Sequence, residues 1–400
     1  MSSLTEAPAV LKVAERINRI EVSATMAVVA EADKLRQSGV DVVDLSVGEP
    51  HFSTPRHIKD AAIAAINGNF TRYTAVGGTV ELKDAILERH AHDFGSSYKR
   101  DQTMASVGGK HVLFNAIQVL VDHGDEVILP VPYWVSFKDI VRYAGGNCVL
   151  LQSDEANGFR VTAPMVERLV TRRTKLIILN SPANPSGAVM SPEDMTEVVR
   201  LAAERGIWVI SDECYVYLNY SGREFSVGSL QEYRDRLVVV GSLSKTYAMT
   251  GWRMGYALAP VAVISAMQKL QSQSTSNPTS IVQKAAIAAL KGPQDSVAEM
   301  RKDYIRLRDH VLLGLGRIPG LKCARPEGAF YLYPNISEVL DRGGIESPAD
   351  FARRLLHEAH VATVPGEGFG TREHIRISYA TSEKELDRGL DRLRGFISSL

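Results

Sequence analysis

Six short apolar runs, at residues 126–129, 148–151, 176–179, 207–210, 237–240 and 255–258, set most of what this 400-residue chain can become. A strand with one wet face alternates apolar and polar residues. Nearly continuous runs instead fit strands covered on both faces, as in a parallel or mostly parallel sheet. Helical periodicity between the runs, at 110–121 and 195–204, supplies covering layers. Strand and helix in turn predict a doubly wound α/β domain. The chain is too long for one ordinary core, which leaves room for a second domain. The character changes after about residue 295. A charged amphipathic stretch at 297–315 predicts a long helix, and strand-like segments follow at 329–333, 361–364 and 375–378. Ser347-Pro348-Ala349-Asp350 and Ser382-Glu383-Lys384-Glu385 have the spacing of capping boxes. A smaller α+β domain is expected at this end.

Lys plus Arg number 46 and Asp plus Glu 46, a net charge of +0 without basic runs. That excludes the electrostatic footprint of a nucleic-acid or anionic-membrane partner. The three cysteines, Cys148, Cys214 and Cys323, are scattered and odd in number, so neither a disulfide framework nor a metal site is expected. Cys148 and Cys214 lie in apolar runs and are expected to pack as small core residues. No stretch is long and apolar enough to span a membrane. The first 25 residues carry charges and no apolar segment, so no secretory signal is expected and a cytoplasmic enzyme is the default.

The chemistry concentrates at the ends of the apolar runs. Residues 242–255 read Ser-Leu-Ser-Lys-Thr-Tyr-Ala-Met-Thr-Gly-Trp-Arg-Met-Gly. Lys245 falls just past the run 237–240, where open α/β sheets hold their ligands. A lysine among apolar neighbours can lose its proton and attack a carbonyl. Arg253 offers a fixed fork for a phosphate and Ser242 a hydroxyl. A carbonyl-reactive lysine beside a phosphate clamp suggests pyridoxal 5′-phosphate. Ser106-Val107-Gly108-Gly109-Lys110 opens a helix, and a Gly-Gly turn there presents free backbone N–H groups; alone, such a pair describes many loops. Asp212 follows the run 207–210, and a carboxylate there could hold a pyridine nitrogen protonated or merely cap a turn. Asn184 lies in the turn Asn180-Ser181-Pro182-Ala183-Asn184-Pro185-Ser186-Gly187, held extended by the next proline.

These segments together resemble the class I/II aminotransferases of pyridoxal-phosphate fold type I, from Gly48 to Ser382. The resemblance implies a large domain at 49–295 with a mostly parallel sheet flanked by helices. It also implies a discontinuous small domain from 1–48 and 296–400. Lys245 is implied as the catalytic lysine and Asp212 as partner of the pyridinium nitrogen. Gly108, Gly109, Ser242 and Arg253 are implied around the phosphate, with Lys110 beside them. Tyr215 and Asn184 would bind the phenolic oxygen, and Trp134, in Pro132-Tyr133-Trp134, would cover the ring. Tyr73, in Arg72-Tyr73-Thr74, resembles the tyrosine that reaches the phosphate of a neighbouring subunit, which implies a homodimer with shared active sites. Cys214 and Ser186 stand where an apolar residue and Thr are commoner.

For substrate, Arg376 in His374-Ile375-Arg376-Ile377-Ser378-Tyr379 resembles the family's α-carboxylate clamp, with Gly48 as the loop glycine beside it. Trp134 and Asn184 also face substrate in the family. Lys110, after Gly108-Gly109, resembles the lysine with which the bacterial and plant branch of aspartate aminotransferases receives a distal carboxylate. Some members of that branch accept prephenate. The expected activity is ping-pong transfer of an amino group between L-aspartate and 2-oxoglutarate. Prephenate, aromatic or alanine transamination, or a β-lyase reaction on the same fold, are the alternatives. The regulators that use this fold as a ligand sensor carry a DNA-binding domain, for which no room is expected before Gly48.

Overall fold

The computed structural model describes residues 12–400; residues 1–11 of the expected small domain lie outside the described residues. In chain order the strands are β1 (Val43–Asp44), β2 (Thr103–Ser106), β3 (Glu126–Val131), β4 (Asn147–Gln152), β5 (Thr174–Asn180), β6 (Trp208–Asp212), β7 (Leu237–Ser242), β8 (Gly255–Leu258), β9 (Tyr331–Leu332), β10 (Val361–Ala362), β11 (Val364–Pro365) and β12 (Ile375–Ser378). All six apolar runs are strands of one sheet, ordered β2-β8-β7-β6-β5-β3-β4. β3 to β7 run parallel, and β8 lies antiparallel to both β7 and β2. The fold is α/β with a mostly parallel sheet flanked by helices.

The continuous apolar runs reflect burial on both faces. Leu237 and Val239 of β7 enter one core while Val238 and Val240 enter the other. β5 divides the same way, with Ile177 and Leu179 opposite Leu176 and Ile178. Each such side chain contributes roughly 1.5–3 kcal/mol when fully buried. β2 offers no apolar run of its own, and its ladder with β8 decides its conformation.

One rim of the sheet gathers the strand ends. Asn180 pairs in register with Asp212, and Ser242 with Gly255, which also pairs with Ser106. Because β8 is antiparallel, its first residue sits where the parallel strands finish. Between β3 and β5 the strand order reverses direction, which opens a crevice at this rim.

The smaller region holds a two-stranded sheet, β1-β10, and a three-stranded antiparallel sheet, β11-β12-β9. Its core joins Val43 and Leu45 to Met300, Leu307, Phe351 and Phe396. The expected strand at 329–333 shortens to β9 because Ala329 has φ 56°, which an extended ladder cannot absorb. The expected strand at 361–364 divides, with β10 pairing to β1 and β11 to β12. The long helix runs from Asp295 to Leu315. Ser347 and Ser382 both cap helices, accepting the N–H of Asp350 at 3.1 Å and of Glu385 at 3.3 Å.

Candidate active site

A cavity of about 630 Å³ opens at the rim where the strands end. Strand ends form one wall; the facing parts are residues 47–49, Tyr331, Arg376, and Thr25, Met26 and Val29 of the helix Ala24–Gln37. Lys245 lies on the short helix Leu243–Thr246 directly after β7, and Ser242 caps that helix by accepting the Ser244 N–H at 3.2 Å. Lys245 Nζ donates to the Gly48 carbonyl and lies 5.9 Å from the centre of the Phe330 ring. Burial lowers the Lys245 pKa, and the Arg376 and Arg253 cations add to this against Cys214 and Glu49.

The Gly108-Gly109 turn has a steric reason. Gly108 has φ 88° and precedes the helix Gly109–Leu120, whose first N–H groups lack helical partners. A Cβ on Gly108 would lie 2.6 Å from Arg253 Nη2, so glycine lets the guanidinium close on the helix start. Arg253 itself holds φ 55°, and its Nη1 donates to the Thr250 carbonyl at 2.7 Å. The Lys110 ammonium stands 4.8 Å from the centre of the Trp134 ring; desolvation and the Arg253 charge lower its pKa.

Asp212 ends β6, buried, and accepts the Cys214 N–H at 3.1 Å. Burial pushes its carboxyl up to about 7 against that hydrogen bond, and no cation pairs with it among the described residues. Asn180 Nδ2 donates to the Asp212 carbonyl at 3.0 Å, and its Oδ1 accepts the Asn184 N–H at 2.9 Å. Asn184 Oδ1 accepts Arg376 Nη1 at 3.0 Å, while Arg376 Nη2 donates to the Ser46 carbonyl at 2.6 Å. Arg376 is only 2% exposed, its Nε has no partner, and no carboxylate pairs with it among the described residues. The Tyr331 ring centre lies 4.5 Å from its Cζ, and Tyr331 and Tyr215 share a hydroxyl hydrogen bond of 2.8 Å.

Apart from Tyr73 and Gly108, every residue to which the sequence reading gave a cofactor or substrate role lines this cavity. Gly108 sits beside it against Arg253. Tyr73 stands 91% exposed and outside it within the single chain. Cys214 is half-buried, packing on the smaller core while also lining the cavity. Asn180, Ser46 and Tyr331 are site residues without an expected role. Asn180 carried a signal, an amide at a strand end. Tyr331 carried none, since its partners are distant in sequence.

At this rim an α/β fold brings together a buried lysine, a glycine-opened helix start with a guanidinium against it, and a second, buried guanidinium. Residues 40–393 match the family described as aminotransferase class I and II. The aspartate aminotransferase of Geobacillus stearothermophilus is 42% identical over 391 residues, covering 97% of this chain and 100% of that one. An aspartate/prephenate aminotransferase of Cereibacter sphaeroides is 42% identical, covering 96% of this chain and 98% of that one. The solved structure of Thermus thermophilus aspartate aminotransferase with maleate has a TM-score of 0.92 and 41% identity, covering 96% of this chain and all of that one, 100%. The chain belongs to the class I and II aminotransferases, which depend on pyridoxal 5′-phosphate.

The residues present fit that cofactor. The helix start and Arg253 form a cradle that a Cβ on Gly108 would fill. Asp212 is a buried acid lacking the cation that a protonated ring nitrogen would supply.

Proposed function

We propose that this chain is an aspartate aminotransferase, moving the amino group between L-aspartate and 2-oxoglutarate. The buried Arg376 guanidinium, without a carboxylate of its own, carries the reading. An α-carboxylate matches its planar fork and supplies the missing charge. Lys110 adds a second cation in the same cavity, as a dicarboxylate requires. The relatives' names support this, as does maleate, a dicarboxylate, with the Thermus thermophilus enzyme.

In this reading Gly108, Gly109, Ser242 and Arg253 would hold the phosphate, and Trp134 would pack on the ring. Tyr215 and Asn184 would bind the phenolic oxygen, and Asp212 would keep a proton on the ring nitrogen. When bound, pyridoxal phosphate supplies a carbonyl for amine exchange and a cationic ring that takes up electrons released with the α-proton. Arg376 and Asn184 orient the amino acid, with the Gly48 backbone alongside. Lys245 Nζ, its pKa lowered chiefly by burial, accepts the α-proton and redelivers it on the far side of the amino nitrogen. A second 2-oxo acid takes the amino group in the reverse sequence, which makes the kinetics ping-pong. The large domain is 49–295 and the small one 1–48 with 296–400, supported by the separate core joining Val43 and Leu45 to the C-terminal helices. The working form is a cytoplasmic homodimer in which Tyr73 of one copy reaches the phosphate of the other; its exposure supports this.

The test follows the cofactor's visible band in purified enzyme on adding aspartate, glutamate, alanine, phenylalanine or arogenate. Fast conversion by aspartate and glutamate is expected. Preference for alanine or phenylalanine overturns the specificity, and release of pyruvate and ammonia marks a lyase. The Cereibacter sphaeroides relative favours prephenate as a second partner, and a strong arogenate response would establish it.

A further inference from the structure

Behind Asp212 lies a buried polar chain that the reaction above does not use. Successive residues of an extended strand face opposite sides. Asp212 lines the cavity, while Glu213, 3% exposed, meets the helix Val80–Phe94. Glu213 Oε1 accepts the Ser211 hydroxyl at 3.1 Å and the Val227 N–H at 3.1 Å. Its Oε2 lies 4.0 Å from Nε2 of His90, itself 1% exposed. Ser226 Oγ faces the Glu213 carboxyl, lies 3.3 Å from the same Nε2, and accepts the Gly228 N–H at 3.0 Å. His90 Nδ1 meets Ser96 Oγ at 2.7 Å. The other titratable groups facing this chain are Asp212, Asp93, Tyr98 and Tyr256, with Arg234 beyond Tyr98. No Lys or Arg pairs with Glu213 among the described residues.

Ser226 can pass a proton either way. With the proton on Glu213, the acid donates to Ser226 and Ser226 donates to His90 Nε2. With it on His90, both bonds reverse. Either arrangement satisfies every atom and carries no net charge. Burial pushes the Glu213 carboxyl up to about 7 and holds His90 down to about 4, so the proton resides on Glu213 and departs near neutrality. Its departure leaves a buried carboxylate one residue from Asp212, and like charges raise each other's proton affinity.

We propose that Glu213, sharing one proton with His90 through Ser226, is a positioning residue that sets how firmly Asp212 holds the proton on the cofactor's ring nitrogen. Its role toward Asp212 rests on the cofactor reading above. The test is equilibrium binding of pyridoxal phosphate to apoenzyme, followed by fluorescence quenching, for wild type and Glu213→Gln. At about pH 6 both carry a neutral side chain and bind alike; at about pH 8.5 the variant binds about tenfold more weakly. An equal loss at both pH values, or none at either, overturns the proposal. If Glu213→Gln does not fold, Ser226→Ala replaces it: cutting the bridge shifts the pH midpoint of wild-type binding by about half a unit or more, and an unmoved midpoint overturns the proposal. Wild-type apoenzyme that binds no cofactor at any pH would instead defeat the cofactor reading. In that case thermal unfolding of the apo forms still tests the shared proton: stability falls from about pH 5 to pH 8 in wild type and less steeply in Glu213→Gln.

Discussion

On the strand-edge wall of the cavity, Lys245, Asp212, Asn180 and the Gly108 turn each sit at a strand end or directly after one. On the facing wall, Arg376 is held by Asn184, 192 positions away, and by the Ser46 carbonyl, 330 positions away. The first wall is placed by ladders; the second exists only once the smaller region has docked. The first therefore tolerates changes in distant packing better, and the second is where affinity for substrate can be tuned apart from the cofactor chemistry.

Breaking the first wall costs most. Lys245→Ala is expected to cut turnover by about 10⁵-fold or more while pyridoxal phosphate still binds, read by a slow or absent change in the cofactor band. Normal turnover in that variant would refute the lysine's role. On the second wall, Arg376→Ala should lower kcat/KM by about 10²–10³-fold, mainly through KM, with the cofactor spectrum unchanged. An altered spectrum would show that the two walls are not separable. Lys110→Ala sharpens the division further: a loss of roughly tenfold for aspartate and glutamate, and none for alanine, is expected. Loss for every substrate alike would move Lys110 to the cofactor side.

The smallest effect is thermal. Asp212 keeps its proton to about 7 in the folded apoenzyme, against 3.8 for an ordinary aspartate. Between those values the folded chain binds more protons than the unfolded one, so stability falls as pH rises through the window. Apoenzyme melting temperature should drop by a few degrees across it. Asp212→Asn should flatten that slope, and an unchanged slope would count against the assignment.

How much of this was legible follows the same division. Apolar runs covered on both faces announce their strands, and the polar residues that soon follow each run stand near the rim; Lys245, Asp212 and Asn184 were found that way. The direction of β8 was not, because Gly255–Leu258 looks the same to a parallel or an antiparallel neighbour. β2 has too little apolar content to be seen alone. Arg376 and Lys110 came only from resemblance, since a lone cation on a strand or helix start has no local signature. Tyr331 came from nothing local: its contacts to Tyr215, Arg376 and Gly48 appear only when the regions meet. Tyr73 is exposed in one chain, and no sequence pattern says what covers it.

The register of Ser242 against Gly255 reaches beyond the site itself. The segment carrying both Lys245 and Arg253 leaves and re-enters the sheet at a single rung, so neither of its ends can slide. Substitutions inside that segment change one side chain each. An inserted or deleted residue between 242 and 255 cannot be passed to a flexible end, and must alter the separation of amine and guanidinium. Length, more than composition, is the quantity natural variation is least free to change there.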